Sequence, residues 1–136
     1  MKMPDSKVQI PEKAKDNKPQ TYKDLEDRFS SFGIETIKLC KIIKQDTISK
    51  PLINQIIRSS TSIGANYLEA NNASSKKDFR NKIYIAKKEA EESKHWLKML
   101  KVAAPERTDE LRILWTEVHQ IVLILQAIVN KVDDKH

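Results

Sequence analysis

Apolar residues recur at alternating steps of three and four in four separate stretches of this chain. The most regular repeat lies in the third stretch: Phe79, Ile83, Ala86, Ala90, Ser93, Leu97, Leu100 and Ala104. The first, second and fourth repeats are Leu25, Phe29, Phe32, Thr36, Leu39 and Ile43; Ile53, Ile56, Ser60, Ile63, Tyr67 and Ala70; and Leu111, Leu114, Val118, Ile121, Leu125, Ile128 and Val132. This spacing keeps one face of a helix against a partner. The sequence therefore predicts four amphipathic helices.

Polar residues and prolines set the boundaries of these helices. We expect helices over residues 22–45, 49–72, 76–103 and 109–132. Ser49 is the expected cap of the second helix, Ser75 has the capping-box spacing to Asp78, and Pro105 ends the third helix. The connections are short, and short connections join antiparallel neighbours. The predicted fold is all-α, an up-down-up-down antiparallel four-helix bundle.

Composition sets the domain organisation and suggests an acidic partner. The 136 residues carry a net charge of +6, and this length suits a single domain. Residues 1–21 contain three prolines and few apolar anchors, so we expect a disordered basic tail before a bundle over residues 22–133. A basic chain favours nucleic acid as a partner. The alternative is that the charge only maintains solubility.

Several classes of site are not expected. The only cysteine, Cys40, lies among apolar residues at helical spacing and is expected to be a buried, inert thiol. A di-iron bundle needs two Glu-x-x-His pairs, whereas this chain has one, Glu92 and His95, directed away from the third repeat. We therefore expect no metal, no cofactor and no enzymatic activity. Neither an apolar leader nor an apolar run of membrane-spanning length is visible, so we expect a cytoplasmic protein without a membrane partner.

A basic cluster lies in the first turns of the third helix. It consists of Lys76, Lys77, Arg80, Lys82, Lys87 and Lys88. The first two lysines sit at a helix N-terminus, where backbone N–H groups favour anions. These residues are the candidate nucleic-acid contacts, with phosphates as their targets, and the alternative is an ordinary solvated helix face. Tyr84 is the only candidate for base stacking beside them.

Two further sets of residues are candidates for subunit contacts. Arg58, Ser62, Asn66 and Glu69 form a polar stripe on the second helix, either its wet side or a network buried between subunits. Trp115, Val122 and Val129 are apolar residues outside the seam of the fourth helix. A helix that is apolar most of the way round must be buried on more than one side. We therefore expect these three residues to lie at an interface in a homo-oligomer.

The segment from Gln55 to Phe79 resembles the four-helix-bundle proteins encoded in intervening sequences of bacterial 23S ribosomal RNA genes. That family shows the pattern Q-[LI]-R-R-A-x-x-S-I-x-x-N-I-A-E-G, then a basic turn and S-K-K-[DE]-F. The residues shared with it are Gln55, Arg58, Ser62, Ile63, Asn66, Glu69, Ser75, Lys76, Lys77, Asp78 and Phe79. The likeness extends over about residues 24–132. Here Ile57 replaces an arginine, Ala70 a glycine, and Ala73 and Ser74 basic residues of the turn.

The resemblance implies an antiparallel four-helix bundle that assembles into a homopentameric ring. A relative, the accessory protein of diversity-generating retroelements, is a basic pentamer that binds nucleic acid and a reverse transcriptase. The departures weaken the basic turn but leave Lys76, Lys77 and Arg80 in place. The sequence thus predicts a non-enzymatic oligomer that binds RNA or DNA. The alternative is a scaffold or accessory subunit that binds a partner protein and makes no contact with nucleic acid.

Overall fold

The computed structural model describes residues 21–134, and this part of the chain is all-α. It contains four helices, α1 (Tyr22–Ile42), α2 (Ser49–Asn71), α3 (Lys76–Ala103) and α4 (Thr108–Asp133). A short 3₁₀ turn, Pro105–Arg107, separates α3 from α4 at the predicted proline break. The predicted tail lies outside the described residues except for Thr21.

Side-chain caps explain where α1 and α3 begin. Thr21 Oγ1 accepts a hydrogen bond from the Asp24 N–H, and the Asp24 carboxylate accepts one from the Thr21 N–H, both at 3.1 Å. Ser75 Oγ accepts from the Asp78 N–H at 3.0 Å, which confirms Ser75 as the cap of α3. Satisfying the free N–H groups of a first turn in this way stabilises a helix start by about 1 kcal/mol.

The predicted start of α2 was wrong in its capping residue. Asp46 caps this helix, because its Oδ1 accepts hydrogen bonds from the N–H groups of Ile48 at 2.9 Å and Ser49 at 2.8 Å. The Ser49 hydroxyl instead donates to the Lys44 carbonyl at 2.7 Å. The chain also leaves α1 earlier than residue 45, since Ile43 is already extended, with φ −80° and ψ 132°.

Contacts between the helices follow a consistent order. Lys82 of α3 contacts Glu69 of α2, while Glu89, further along α3, contacts the earlier residue Arg58. The same reversal holds elsewhere: Asn71 bonds Glu26 while Thr61 adjoins Gly33, and Arg80 pairs with Asp133 while Lys94 meets His119. Each connected helix pair therefore places the end of one helix beside the start of the next.

The four apolar repeats meet in one core. Residues of each repeat are completely buried, among them Phe29, Ile56, Ile63, Ile83, Ala86, Ala90, Leu97, Leu100, Leu111, Val118, Ile121 and Leu125. Burying one such leucine, isoleucine or phenylalanine contributes about 1.5–3 kcal/mol. The core predicted from the periodicity is thus confirmed in each helix.

Two glycines allow α1 and α2 to approach closely. A methyl group added at Gly33 would lie 3.3 Å from the Ser60 carbonyl oxygen and 3.4 Å from Thr61 Cα. One added at Gly64 would lie 3.4 Å from the Ser30 backbone nitrogen. Backbone atoms cannot yield as a flexible side chain does, so the missing Cβ atoms set the separation of this helix pair.

Many apolar residues of α4 are buried within one chain. Trp115, Val122 and Val129 are only 5%, 7% and 3% exposed, so little of their surface is left for the expected contact with another subunit. The helix packs against both α3 and α1. Contrary to expectation, the helical stretch Pro105–Asp133 is long and apolar enough to cross a membrane by length and composition alone. The core helix of a soluble protein has the same properties.

Cys40 lies on α1 and is 3% exposed, which confirms the predicted buried thiol. Burial raises the pKa of this thiol to about 11, because the thiolate would lose its hydration. The uncharged thiol is therefore the form present at neutral pH, and it is a poor nucleophile.

Candidate nucleic-acid interface

The basic cluster begins in the first turn of α3. Lys76 and Lys77 are both exposed there, directly after the Ser75 cap. Unpaired N–H groups of a first turn carry a partial positive charge, so this helix end and the two ammonium groups act in the same direction on an anion.

Arg80 is engaged with the end of α4. Its Nε donates to Asp133 Oδ1 at 2.6 Å, and its guanidinium carbon lies 4.6 Å from the centre of the Tyr84 ring. The hydrogen bond to Asp133 raises the pKa of Arg80, because it favours the charged guanidinium. A phosphate that binds Arg80 has to compete with this carboxylate.

Lys82 faces the opposite flank of α3. Its Nζ lies 2.7 Å from Glu69 Oε1 on α2, and this hydrogen bond raises the pKa of the lysine. Arg80 and Lys82, which belong to the predicted basic cluster, therefore form ion pairs within the chain.

Lys77, Tyr84 and Lys88 share the outer face of α3. At about 100° per residue, Lys77 and Lys88 lie within about 20° of each other around the helix, with Tyr84 at a similar angle between them. All three are exposed, whereas Lys87 is half-buried. Eleven residues separate the two lysines, which corresponds to about 16 Å along the helix axis. This outer face is the part of the basic cluster best placed to meet a polyanion.

The polar stripe of α2 lies along its seam with α3. Arg58 donates to Glu89 Oε1 at 3.0 Å, to Glu92 Oε1 at 2.7 Å and to Gln55 Oε1 at 3.1 Å. The hydrogen bond to Glu89 is the main reason that the pKa of Arg58 is raised. Because the Arg58 side chain is 46% exposed, solvent screens these pairs and their contribution to stability is modest.

Ser62 and Asn66 do not form the predicted chain of side-chain contacts. The Ser62 hydroxyl donates to the Arg58 carbonyl at 2.7 Å, and the Asn66 amide donates to the Ser62 carbonyl at 2.9 Å. Glu69 forms an ion pair with Lys82. The structure thus places the stripe at a seam within the chain, with Ser62 and Asn66 half-buried.

A cleft at one end of the bundle was not foreseen from the sequence. It has a volume of about 660 Å³ and is lined by Thr21, Tyr22, Leu25, Tyr67, Lys76, Phe79, Ile128, Lys131 and Val132. These residues come from all four helices or the caps beside them, and no local pattern brings them together. Periodicity predicted that Leu25, Tyr67, Phe79, Ile128 and Val132 would pack inside the bundle, but not that they would line a cleft.

Tyr67 is the most unusual residue of this cleft. It is 1% exposed, packs edge-on against Phe29 with the ring centres 4.9 Å apart, and its buried hydroxyl has no hydrogen-bond partner among the described residues. Burial is the main cause that raises its pKa, so the hydroxyl remains protonated at neutral pH. A buried polar group left unsatisfied costs about 1–3 kcal/mol.

The residues considered for a metal site have other contacts. Glu92 bonds Arg58, while His95 lies edge-on to Trp96 at 4.9 Å. Within residues 21–134, no three histidine, cysteine, aspartate or glutamate residues are grouped as metal ligands. On the α3–α4 seam, His119 stacks on Trp115 with the ring centres 5.2 Å apart.

A buried ion pair between α1 and α4 was also not predicted from the sequence. Arg28 is 4% exposed, and its guanidinium donates to both carboxylate oxygens of Glu117 at 2.9 Å. The two residues are 89 positions apart, so no helical spacing could have indicated their contact.

Comparison with known proteins places this chain in a family. Residues 22–127 match the family model described as 23S rRNA-intervening sequence protein. The fold is similar to the crystal structure of a protein of unknown function from the S23 ribosomal protein family of Bacteroides thetaiotaomicron VPI-5482, with 31% identity and a TM-score of 0.73. That match covers 80% of this chain and 97% of the other. No curated protein matches the chain. With most of its length matched by the family model, the chain belongs to the 23S rRNA-intervening sequence protein family.

Proposed function

We propose that this protein is a non-enzymatic nucleic-acid-binding protein that contacts the phosphates of RNA or DNA through the outer face of α3. The main support for this proposal is that Lys77 and Lys88 are exposed on one helix face around Tyr84, in a chain of net charge +6. Phosphate contacts carry no base information. Binding through this face should therefore show little sequence preference. The family takes its name from intervening sequences of 23S rRNA, and we propose RNA as the partner and the cytoplasm as the place of action.

We also propose that four antiparallel helices in up-down-up-down order form the subunit of a homo-oligomer, with a pentameric ring as the expected state. The reversed order of contacts along each connected helix pair supports this topology. A second copy would cover a groove of about 560 Å³ between α1 and α4, lined on its apolar side by Phe32, Leu39, Ile42, Ile113 and Leu114. Ile42 and Ile113 are each 53% exposed.

Oligomerisation would strengthen a weak interface. Each subunit would present one copy of Lys77 and Lys88, and binding by one copy raises the effective concentration of phosphates near the next. Two lysines per subunit can then produce appreciable affinity without any base contact.

The test is fluorescence anisotropy with a labelled RNA of mixed sequence at low and physiological salt. The double variant Lys77→Gln/Lys88→Gln should weaken binding and reduce the slope of log affinity against log salt by about 1.4 for a single strand, if each lysine neutralises one phosphate. The matched control is Lys41→Gln/Lys50→Gln, at the end of α1 and the start of α2, which removes the same charge from two exposed side chains.

The RNA affinities of the two double variants, compared with that of the parent, test the proposal. If both weaken binding equally, the chain attracts RNA through overall charge and the α3 face is not the interface. Arg80→Gln should weaken binding less than Lys77→Gln, because Arg80 is already paired with Asp133. If the parent binds no RNA at low salt, a protein-binding scaffold or accessory subunit is the function to pursue.

A further inference from the structure

We propose that the cleft at the end of the bundle holds one unpaired nucleotide of a single strand, with its base inside and its phosphate at the rim. This inference rests on the proposed nucleic-acid function and specifies which form of nucleic acid is bound. The cleft opens where α1 begins and α4 ends, next to the first turn of α3. Its volume of about 660 Å³ is within the range of ligand sites that enclose a small organic molecule.

The interior of the cleft suits a flat, partly polar ring. Leu25, Phe79, Ile128 and Val132 supply apolar walls, and Tyr22 is 68% exposed at the edge. An aromatic side chain that faces solvent is an available stacking surface, and every nucleobase has a face that can stack on it.

The Tyr67 hydroxyl gives the interior a hydrogen-bond donor. It is buried and makes no hydrogen bond of standard geometry with the described residues, and only a looser contact with the Asn71 side chain lowers its pKa. The Asn71 amide donates to Glu26 Oε2 at 2.9 Å. Every base offers a ring nitrogen or carbonyl oxygen as an acceptor. A base in the cleft would therefore offer this hydroxyl a better-placed acceptor than the chain itself supplies.

Charges around the cleft fix the orientation of the nucleotide. Lys76 and Lys131 line the cleft, and Lys76 is in the first turn of the 28-residue helix α3. Glu26 accepts a hydrogen bond from Asn71 at 2.9 Å, and Asn71 is the polar side chain next to the Tyr67 hydroxyl. A carboxylate near the interior repels a phosphate there, whereas lysines and a helix N-terminus attract one. The base is therefore the inner part and the phosphate the outer part.

The cleft also adjoins the proposed phosphate-binding face. Lys76 borders the cleft, Lys77 follows it in the chain, and the outer face continues along α3 to Lys88. A strand that leaves the cleft can follow this face. A duplex cannot place a base in the cleft without breaking a base pair and unstacking it. We therefore expect preference for single strands over duplexes.

The experiment compares labelled single-stranded and duplex RNAs of twelve nucleotides or base pairs with the full chain. Tyr22→Ala should weaken single-strand binding about tenfold, through loss of stacking. Tyr22→Phe keeps the ring and should bind like the parent. Tyr67→Phe should weaken single-strand binding about fivefold. Its melting temperature should not fall, because the hydroxyl that it loses is unsatisfied in the free protein. Duplex affinity should be unchanged in all three variants.

The outcomes separate this inference from the proposed function. Lys77→Gln/Lys88→Gln should weaken single strands and duplexes alike, and a parent that binds neither RNA contradicts the proposed function itself. If the parent binds RNA but Tyr22→Ala and Tyr67→Phe bind single strands as the parent does, the cleft does not hold a nucleotide. Equal losses for single strands and duplexes in the tyrosine variants would also overturn the inference.

Discussion

Arg28 of α1 and Glu117 of α4 form a two-bond ion pair, with both nitrogen–oxygen distances at 2.9 Å, although 89 positions separate them in the chain. The Arg28 side chain is 4% exposed and the Glu117 side chain 16%. This pair lies beside the groove between α1 and α4, where Glu117 also lines the wall. It fixes how the first and last helices lie against each other.

Removal of one partner should be more damaging than replacement of both. Glu117→Ala leaves the Arg28 guanidinium buried and unpaired, so we expect it to lower the free energy of unfolding by about 3 kcal/mol. Arg28→Met/Glu117→Leu removes both charges and should recover most of that loss. Urea denaturation of the parent and the two variants measures the difference. A double variant less stable than Glu117→Ala would show that the charges are needed for more than mutual compensation.

Ala90 is fully buried at the middle of α3, so Ala90→Leu should overpack the core and destabilise the protein by about 1–3 kcal/mol. Ala127→Leu on the exposed side of α4 is the matched control, because it adds the same atoms where there is space. Thermal unfolding compares the two. Equal melting temperatures for Ala90→Leu and the parent would contradict the tight packing at this helix crossing.

Ile42→Lys and Ile113→Lys should dissociate the proposed homo-oligomer, because each places a charge in the α1–α4 groove. Light scattering of the parent should give about five times the 15.7 kDa mass of one chain, and the variants should approach one chain while remaining helical. Val102→Lys, at a residue that is 79% exposed and outside the groove, is the control and should keep the parent's mass.

The same experiment distinguishes groove residues from core residues. Val122→Lys buries a charge at a position that is 7% exposed, so it should unfold or strongly destabilise the chain. A well-folded Val122→Lys monomer would instead support the earlier expectation that this residue lies between subunits. A parent mass near 15.7 kDa at micromolar concentration would contradict self-association.

Asp46 should make α2 sensitive to acid. Hydrogen bonds from the backbone N–H groups of Ser49 and then Ile48 lower its pKa below the ordinary value of 3.8. A carboxylate with a lowered pKa in the folded state contributes stability that is present above pH 3.8 and is lost as the pH falls through the folded-state pKa. Asp46→Ala should therefore be less stable than the parent at pH 7, and the gap should narrow below pH 3.8.

The check is urea denaturation of parent and variant between pH 7 and pH 2.5. Asp27→Ala serves as the control, because Asp27 is an exposed carboxylate on α1 that pairs with Lys23 and caps no helix. A gap between parent and Asp46→Ala that stays constant across this range would mean that the Asp46 charge does not stabilise the start of α2.

The sequence could predict what depends on local spacing. The seam from Ile83 to Leu100 and the cap at Ser75 are set by residues three or four positions apart, and both are confirmed. The start of α2 was misjudged because Asp46 and Ser49 are both good capping residues. Which of the two caps α2 depends on the path of the chain after Ile43.

Contacts between residues distant in sequence account for the other differences between the predictions and the structure. Arg80 and Lys82 looked like members of one basic patch, but their partners Asp133 and Glu69 lie on different helices. Val122 was assigned to a contact between subunits, because an apolar residue outside the seam does not show whether the neighbour that buries it belongs to the same chain. The cleft around Tyr67 needs all four helices at once, so no segment of the sequence could reveal it.

The buried thiol of Cys40 makes this protein its own reporter of helix opening. A maleimide or disulfide reagent can reach this side chain only when α1 separates from its neighbours, and the chain has no other cysteine to confuse the signal. Under conditions where reclosing is faster than the chemical step, the labelling rate gives the free energy of that opening. A second subunit bound in the groove beside α1 would slow the reaction, so this residue can register self-association without an added probe.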